Sequence, residues 1–267
     1  MLFLTYNTRE DGMGAQFQRI VGIIAIAKKF DIIYVHTPIK QMEHVSGKKY
    51  IKKIENHFCI KNHYSHVNDR TYDKTVETND VSIEDINYYK QMAEDDNINI
   101  LYKIGLPHVI VDAEPEIHSL VMSELIKIKK SLPLVHYKHR NVPNVAIHIR
   151  RGDVNMEKYP SRFIPVEFYL EIMNQLRVNI PSARFHIFTE ITKENENEFD
   201  VLKAEDVTIL PNLDILATME HLIMADVLVT SKSSFSYLAA LYNTNNIVYF
   251  DFWHNPLPHW NRIVVSN

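Results

Sequence analysis

Arg150 and Arg151 are the residues of this chain best suited to chemistry. They close the segment Asn144-Val145-Ala146-Ile147-His148-Ile149 and are followed at once by Gly152 and Asp153. The apolar, β-branched run reads as a short buried strand, and the arginines, glycine and carboxylate read as the turn that ends it. A strand that delivers fixed positive charge to its own C-terminal end places that charge where open α/β sheets bind ligands. A guanidinium is a planar fork of donors that matches a phosphate, so the pair predicts a diphosphate-bearing substrate. The competing reading spends both arginines on surface ion pairs. An Arg-Gly-Asp adhesion tripeptide is disfavoured, because it belongs on a loop tip and not tight against a buried strand.

A second polar element is Ser231-Lys232-Ser233-Ser234-Phe235, which follows the apolar run 226–230 and opens a helical stretch over 234–243. Hydroxyls and free N–H groups at a helix start form an anion site; an ordinary serine N-cap has the same sequence. Lys232 adds charge or is simply solvated. Near the start, Gly12 and Gly14, two of only six glycines, flank a turn beside Gln16, Gln18 and Arg19. Tight-turn geometry explains that pair as well as ligand approach does.

These segments carry a resemblance. His148-Ile149-Arg150-Arg151-Gly152-Asp153 resembles the His-x-Arg-Arg-Gly-Asp motif of the α-1,2- and α-1,6-fucosyltransferase superfamily, which includes nodulation and protein O-fucosyltransferases. Asp11-Gly12-Met13-Gly14-Ala15-Gln16-Phe17-Gln18 resembles the Gly-Gly-Leu-Gly-Asn-Gln opening of the α-1,2 enzymes. Ala225-Asp226-Val227-Leu228-Val229-Thr230-Ser231-Lys232-Ser233-Ser234-Phe235-Ser236 resembles their C-terminal Ser-Ser-Phe-Ser segment. The resemblance implies an α/β fold of two Rossmann-like lobes facing a cleft (GT-B type). It implies metal-independent, inverting transfer of a sugar from a nucleotide-sugar donor to a glycan hydroxyl, with GDP-fucose the leading donor. No cofactor beyond that co-substrate is expected. The implied donor residues are His148, Arg150, Arg151, Ser233, Ser234 and Phe235, and the implied acceptor-side loop holds Asp11, Gly12, Gly14 and Gln16.

The departures from the family are informative. Ala15 replaces the asparagine of the α-1,2 enzymes. Thr218 stands where the fucosyltransferases have an aspartate, a carboxylate able to accept both N1–H and N2–H of guanine. Asp214 and Glu220, on the same predicted helix, are replacements; otherwise Thr218 suits uracil and the donor is a UDP sugar, with xylosyl transfer an example. The α-1,6 enzymes place a glutamate ten residues after the motif histidine, where this chain has Lys158, with Glu157 one residue short.

The departing nucleotide diphosphate gains charge, which a metal or fixed positive charge with oriented N–H groups must stabilise. The sequence has no Asp-x-Asp signature, which leaves arginine and a helix N-terminus. Three carboxylates are candidates for the base that takes the acceptor proton: Glu157, Asp153 and Asp11. Glu157 is preferred, since Asp153 adjoins the arginines as a natural ion partner, and geometry decides the assignment before pKa does. His57, Cys59, His63 and His66 resemble a metal cluster, but their spacing fits no zinc pattern and 14 histidines make chance clusters common. Trp253, His254, His259 and Trp260 read as a packed tail and not as a sugar platform.

The elements that must position these groups follow from periodicity. Strand 2–6, helix 16–30 and strand 31–36 form a βαβ unit. Residues 40–100 are polar and read as short helices and loops, residues 102–112 as strand and 115–131 as helix. Beyond a proline-flanked boundary at 133–143, strands 144–149, 184–189, 207–210, 226–230 and 246–250 alternate with helices 165–179, 213–224 and 234–243. The acidic stretch 190–198 reads as a surface loop. The expected domains are an acceptor-side lobe over 1–138 and a nucleotide-sugar lobe over 139–267.

Composition excludes several classes. With 46% hydrophobic residues over 267 positions the chain has a real core and is not disordered. A formal charge of −4 offers no general attraction to nucleic acid. No run approaches a membrane span and no signal peptide is legible. The lone Cys59 allows no intrachain disulfide, which fits a reducing compartment. The Golgi members of the family it resembles carry a membrane anchor and a stem, and neither is legible here, so the expectation is a soluble enzyme, cytoplasmic or otherwise, or an excised catalytic domain. A dinucleotide-dependent oxidoreductase is disfavoured by the lack of Gly-x-Gly-x-x-Gly. An idle carbohydrate- or nucleotide-binding module of the same fold remains the reading from a different class.

Overall fold

In the computed structural model, which describes residues 1–45, 47–132, 137 and 141–263, strands and helices alternate along the chain. It separates into two compact units, Met1–Lys130 and Ser131–Asn267. The boundary expected between residues 138 and 139 lies outside the described residues.

The first unit runs β1 (Leu2–Tyr6), α1 (Met13–Lys29), β2 (Ile33–Tyr34), α2 (Lys48–Phe58), β3 (Lys74–Asp80), α3 (Ile83–Asp95), β4 (Ile100–Leu106), α4 (His108–Ala113) and α5 (Met122–Ser131). Its four strands are parallel, in the order β2-β1-β4-β3. β1 is buried at every position, as a central parallel strand covered on both faces must be. α1 is buried from Met13 to Ala27 and breaks the surface only at Lys28 and Lys29, cations that suit a helix C-terminus.

The second unit runs β5 (Asn144–Ile149), α6 (Val166–Asn179), β6 (Arg184–Thr189), β7 (Val207–Pro211), α7 (Ile215–Met224), β8 (Val227–Val229), α8 (Ser234–Tyr242), β9 (Asn246–Phe250) and β10 (Asn261–Ile263). All six strands are parallel, in the order β10-β9-β8-β5-β6-β7. Read from β7 inward, the unit's third, second and first strands are followed by its fourth, fifth and sixth. The chain therefore winds outward in both directions from between β5 and β8, and the crevice at the C-terminal ends of those two strands is the switch point where such sheets bind ligands. Val145, Ile147 and Ile149 of β5 join Tyr169 and Met173 of α6 in the core. Alternation leaves Ala146 and His148 for the other face.

In the first unit, three stretches depart from the sequence reading. Lys74–Asp80 is a strand, although 40–100 reads as helices and loops; at the sheet's edge, with no fully buried position, it carries no apolar alternation. The strand expected to reach 112 stops at Leu106, because Pro107 has no N–H for the ladder, and α4 follows. The helix expected over 115–131 opens as a 3-10 segment, Pro115–Val121, before α5. Among the described residues no helix is long and apolar enough to cross a membrane.

Candidate active site

The loops that leave β5 and β8 meet at the second unit's switch point. Arg150 leaves the end of β5 and donates from Nε and Nη2 to the two carboxylate oxygens of Asp153, at 2.9 and 2.6 Å. Its Nη1 donates to Ser233 Oγ at 3.2 Å. The turn closes this quickly because Gly152 adopts φ +79°, a left-handed conformation that side chains resist, and because a Cβ there would collide with the Glu190 carboxylate.

Ser233 caps α8: its Oγ accepts from Phe235 N at 3.2 Å. The Arg150 donor therefore ends on the cap of a helix whose first-turn N–H groups are the natural seat of an anion. Ser234, Phe235 and Lys232 are half-buried around that helix start. His148 braces it from below, with Nδ1 2.8 Å from Ser231 Oγ, while Ser231 N donates to Ser236 Oγ at 3.1 Å. Burial first, and the Arg150 charge second, lower the His148 pKa to about 3, so its ring is neutral.

Arg151 has a different fate. It is 4% exposed, and Nε donates to both Glu198 oxygens at 2.9 Å. Its Nη2 also pairs with Glu198 and donates to Ile164 O at 3.0 Å, Nη1 donates to Arg150 O at 2.8 Å, and the guanidinium lies 4.1 Å from the Phe163 ring centroid. Every guanidinium nitrogen of Arg151 is engaged within the unit. Residues 190–197 lie at the surface as read, but the last residue of that stretch, Glu198, turns inward because a buried guanidinium must be neutralised there.

The remaining candidates are spread more widely. Glu157 lies exposed in the turn 156–158, with no ion pair among the described residues. Asp214 is the N-cap of α7, its carboxylate accepting from Leu216 N and Ala217 N at 3.0 and 3.2 Å. Thr218 is buried within that helix and Glu220 is half-buried. In the first unit, Asp11 accepts from Gly12 N at 2.8 Å and pairs with Arg19 at 2.7 Å. Gln16 is fully buried and donates to the carbonyls of Asp11 and Gln41, both at 2.8 Å, so it fastens the loop to its own unit. Gly12 caps α1 and Gly14 is buried in its first turn.

His57, Cys59, His63 and His66 do not come together as a ligand set among the described residues. His57 packs on Phe58, Cys59 Sγ donates to Asn56 O at 3.0 Å, and His66 Nδ1 accepts from Asn68 N at 2.9 Å. In the tail, Trp260 and His254 pack on Tyr237 with ring centroids 5.6 and 5.0 Å away. Trp253 departs from the expected packing: it is 53% exposed, and the Arg162 guanidinium stacks 4.4 Å from its ring centroid. The sequence reading gave no role to Arg162 or Glu198, and it held Ser231 and Ser236 in the serine motif without assigning either a contact. A short interval from the arginine motif was the one available signal for Arg162; nothing local marked Glu198.

No protein-family model matches the chain, and no curated protein matches it. Solved structures do. POFUT1 in complex with GDP-fucose aligns with a TM-score of 0.54 at 12% identity, over 98% of this chain and 97% of that one. POFUT1 in complex with GDP aligns with a TM-score of 0.50 at 12% identity, over the same shares. The E. coli heptosyltransferase WaaC with ADP-2-deoxy-2-fluoro heptose aligns at 0.48 and 14% identity, over 99% and 93%. At such identity the likeness is one of fold: this chain has the α/β fold of GT-B glycosyltransferase structures, with two parallel-stranded sheets.

Proposed function

We propose that the protein is an inverting, metal-independent glycosyltransferase that moves fucose from GDP-fucose to a glycan hydroxyl. The observation that carries the reading is the Arg150 guanidinium, fixed by Asp153 and ending on the α8 cap Ser233 at the switch point of a doubly wound sheet. A leaving diphosphate there meets oriented N–H donors that need no reorganisation as charge develops. The solved structures with a similar fold that are named as complexes with GDP-fucose and GDP support the choice of donor.

Glu157 is assigned as the base, because Asp153 and Asp11 are each already held by an arginine. We assign Asp11 to Gln16 to the acceptor on the resemblance of that loop. Guanine is read by Glu220 or Asp214. A specific observation keeps UDP in view: Asp214 already serves as a helix cap, and Thr218 occupies the position of the family's aspartate. Calorimetry with GDP and UDP side by side tests the reading, together with slow hydrolysis of GDP-fucose without acceptor. Tighter UDP binding replaces the donor, whereas binding of neither nucleotide overturns the function.

A further inference from the structure

We infer that Arg162 is a second oxyanion-binding guanidinium on the same edge of the second unit's sheet. The inference rests on the glycosyltransferase reading only for the source of the oxyanion. The guanidinium carbon lies 5.2 Å from the Tyr159 ring centroid and 4.4 Å from that of Trp253. Two aromatic rings from connections some ninety positions apart thus fix one cation, and Phe252 packs on Trp253 with centroids 4.0 Å apart. Stacking covers the faces of a guanidinium and leaves its in-plane N–H fork to make hydrogen bonds.

That fork has no carboxylate or hydrogen-bond acceptor among the described residues. The other described arginines of this unit are all engaged: Arg150 by Asp153, Arg151 by Glu198, Arg177 by Asp206, Arg262 by Asp251 and Arg184 by the Glu205 carbonyl. Arg150 and Asp153 together are electrically neutral, so the pair offers directed donors but little net charge. Arg162 supplies a charge that no neighbouring carboxylate cancels.

Its placement follows from topology. Tyr159 and Arg162 lie in the connection that leaves the C-terminal end of β5, and Trp253 in the one that leaves β9. Ser233 follows β8, which lies between those strands in a wholly parallel sheet. All three connections start from the same edge. Tyr159 and Trp253 are 44% and 53% exposed, so the stack is open to solvent and to a ligand. The ligand class is an oxyanion, either the diphosphate of the donor or a carboxylate on the acceptor sugar.

The test measures Arg162→Ala and Arg162→Gln against the unaltered chain, with unchanged melting as the control for folding. The probes are GDP, inorganic pyrophosphate and a tetrasaccharide of galacturonate. If the oxyanion is the donor's, both variants weaken GDP and pyrophosphate about tenfold or more and leave the uronate unaffected. If it is the acceptor's, nucleotide binding is unchanged and uronate binding is lost. Variants that bind all three probes as the unaltered chain does, or an unaltered chain that binds none, overturn the inference. Nucleotide bound equally by the unaltered chain and by both variants, with no uronate bound by any of them, overturns it while leaving the proposed function standing. An unaltered chain that binds only uronate, and through Arg162, does the reverse.

Discussion

Arg150 and Arg151 are consecutive in the chain, yet their guanidinium groups end on unlike partners: Arg150 reaches the Ser233 cap at 3.2 Å, and Arg151 is buried on Glu198. One is 27% exposed in its side chain and the other 3%. A motif that reads as a doubled phosphate fork therefore divides into one accessible donor and one internal tie.

Removing the Arg151 tie is expected to act on stability. Arg151→Met or Glu198→Gln leaves an uncompensated charge or donor set in a largely dry place, costing about 3 kcal/mol. Urea unfolding reads this directly. A loss below about 0.5 kcal/mol would show that the pair is spent on solvent after all.

Gly152→Ala strains the turn between the two arginines. A left-handed φ costs a side-chain-bearing residue about 1–2 kcal/mol, and the new methyl also displaces the Glu190 carboxylate, which occupies that position. Stability falls by about that amount, and nucleotide binding weakens with it, because Asp153 no longer meets Arg150 squarely. Unchanged stability would mean that the turn relaxes freely.

How much of this was legible depended on burial. β1, β5, β6 and β9 were read at their observed bounds, because each central parallel strand is a continuous apolar run cut off by polar residues. β3 and β10 were missed: edge strands need no such run. The arginine motif and the serine turn were legible as separate pieces, and the β5–β8 pairing explains their meeting. Glu198 was not legible, since a carboxylate that turns inward has the same local sequence as one that turns out. The Arg162 stack depends on a contact between two loops far apart in the chain, which no local pattern encodes.

His148 sets a pH dependence. Its pKa is about 3 in the folded protein against an ordinary value of 6.5, so the unfolded chain takes up a proton that the folded one refuses. Its contribution is intact above 6.5 and is lost progressively as pH falls toward 3. Burial lowers His221 as well, with the same sign. His148→Gln should flatten the stability profile between about pH 6.5 and about pH 5, though not abolish its slope. An identical profile in the variant would mean that His148 titrates normally in place.

Transfer is expected to survive excess chelator, since the proposed chemistry relies on Arg150 and the α8 start. Rates with and without EDTA check this. Complete loss, restored by Mn²⁺, would show that carboxylates of this edge hold a metal.

Titrating GDP and UDP into the unaltered protein and into Arg150→Ala and Arg150→Lys decides whether Arg150 holds the donor's diphosphate. The unaltered chain is expected to bind a nucleoside diphosphate. Arg150→Ala is expected to weaken binding and slow transfer, the latter by about 3 kcal/mol at the barrier, with unfolding little changed. Arg150→Lys recovers little, because an ammonium cannot reproduce the fork that spans Asp153 and Ser233. An Arg150→Ala protein that melts normally and keeps more than half of the unaltered affinity and rate would contradict that role of Arg150.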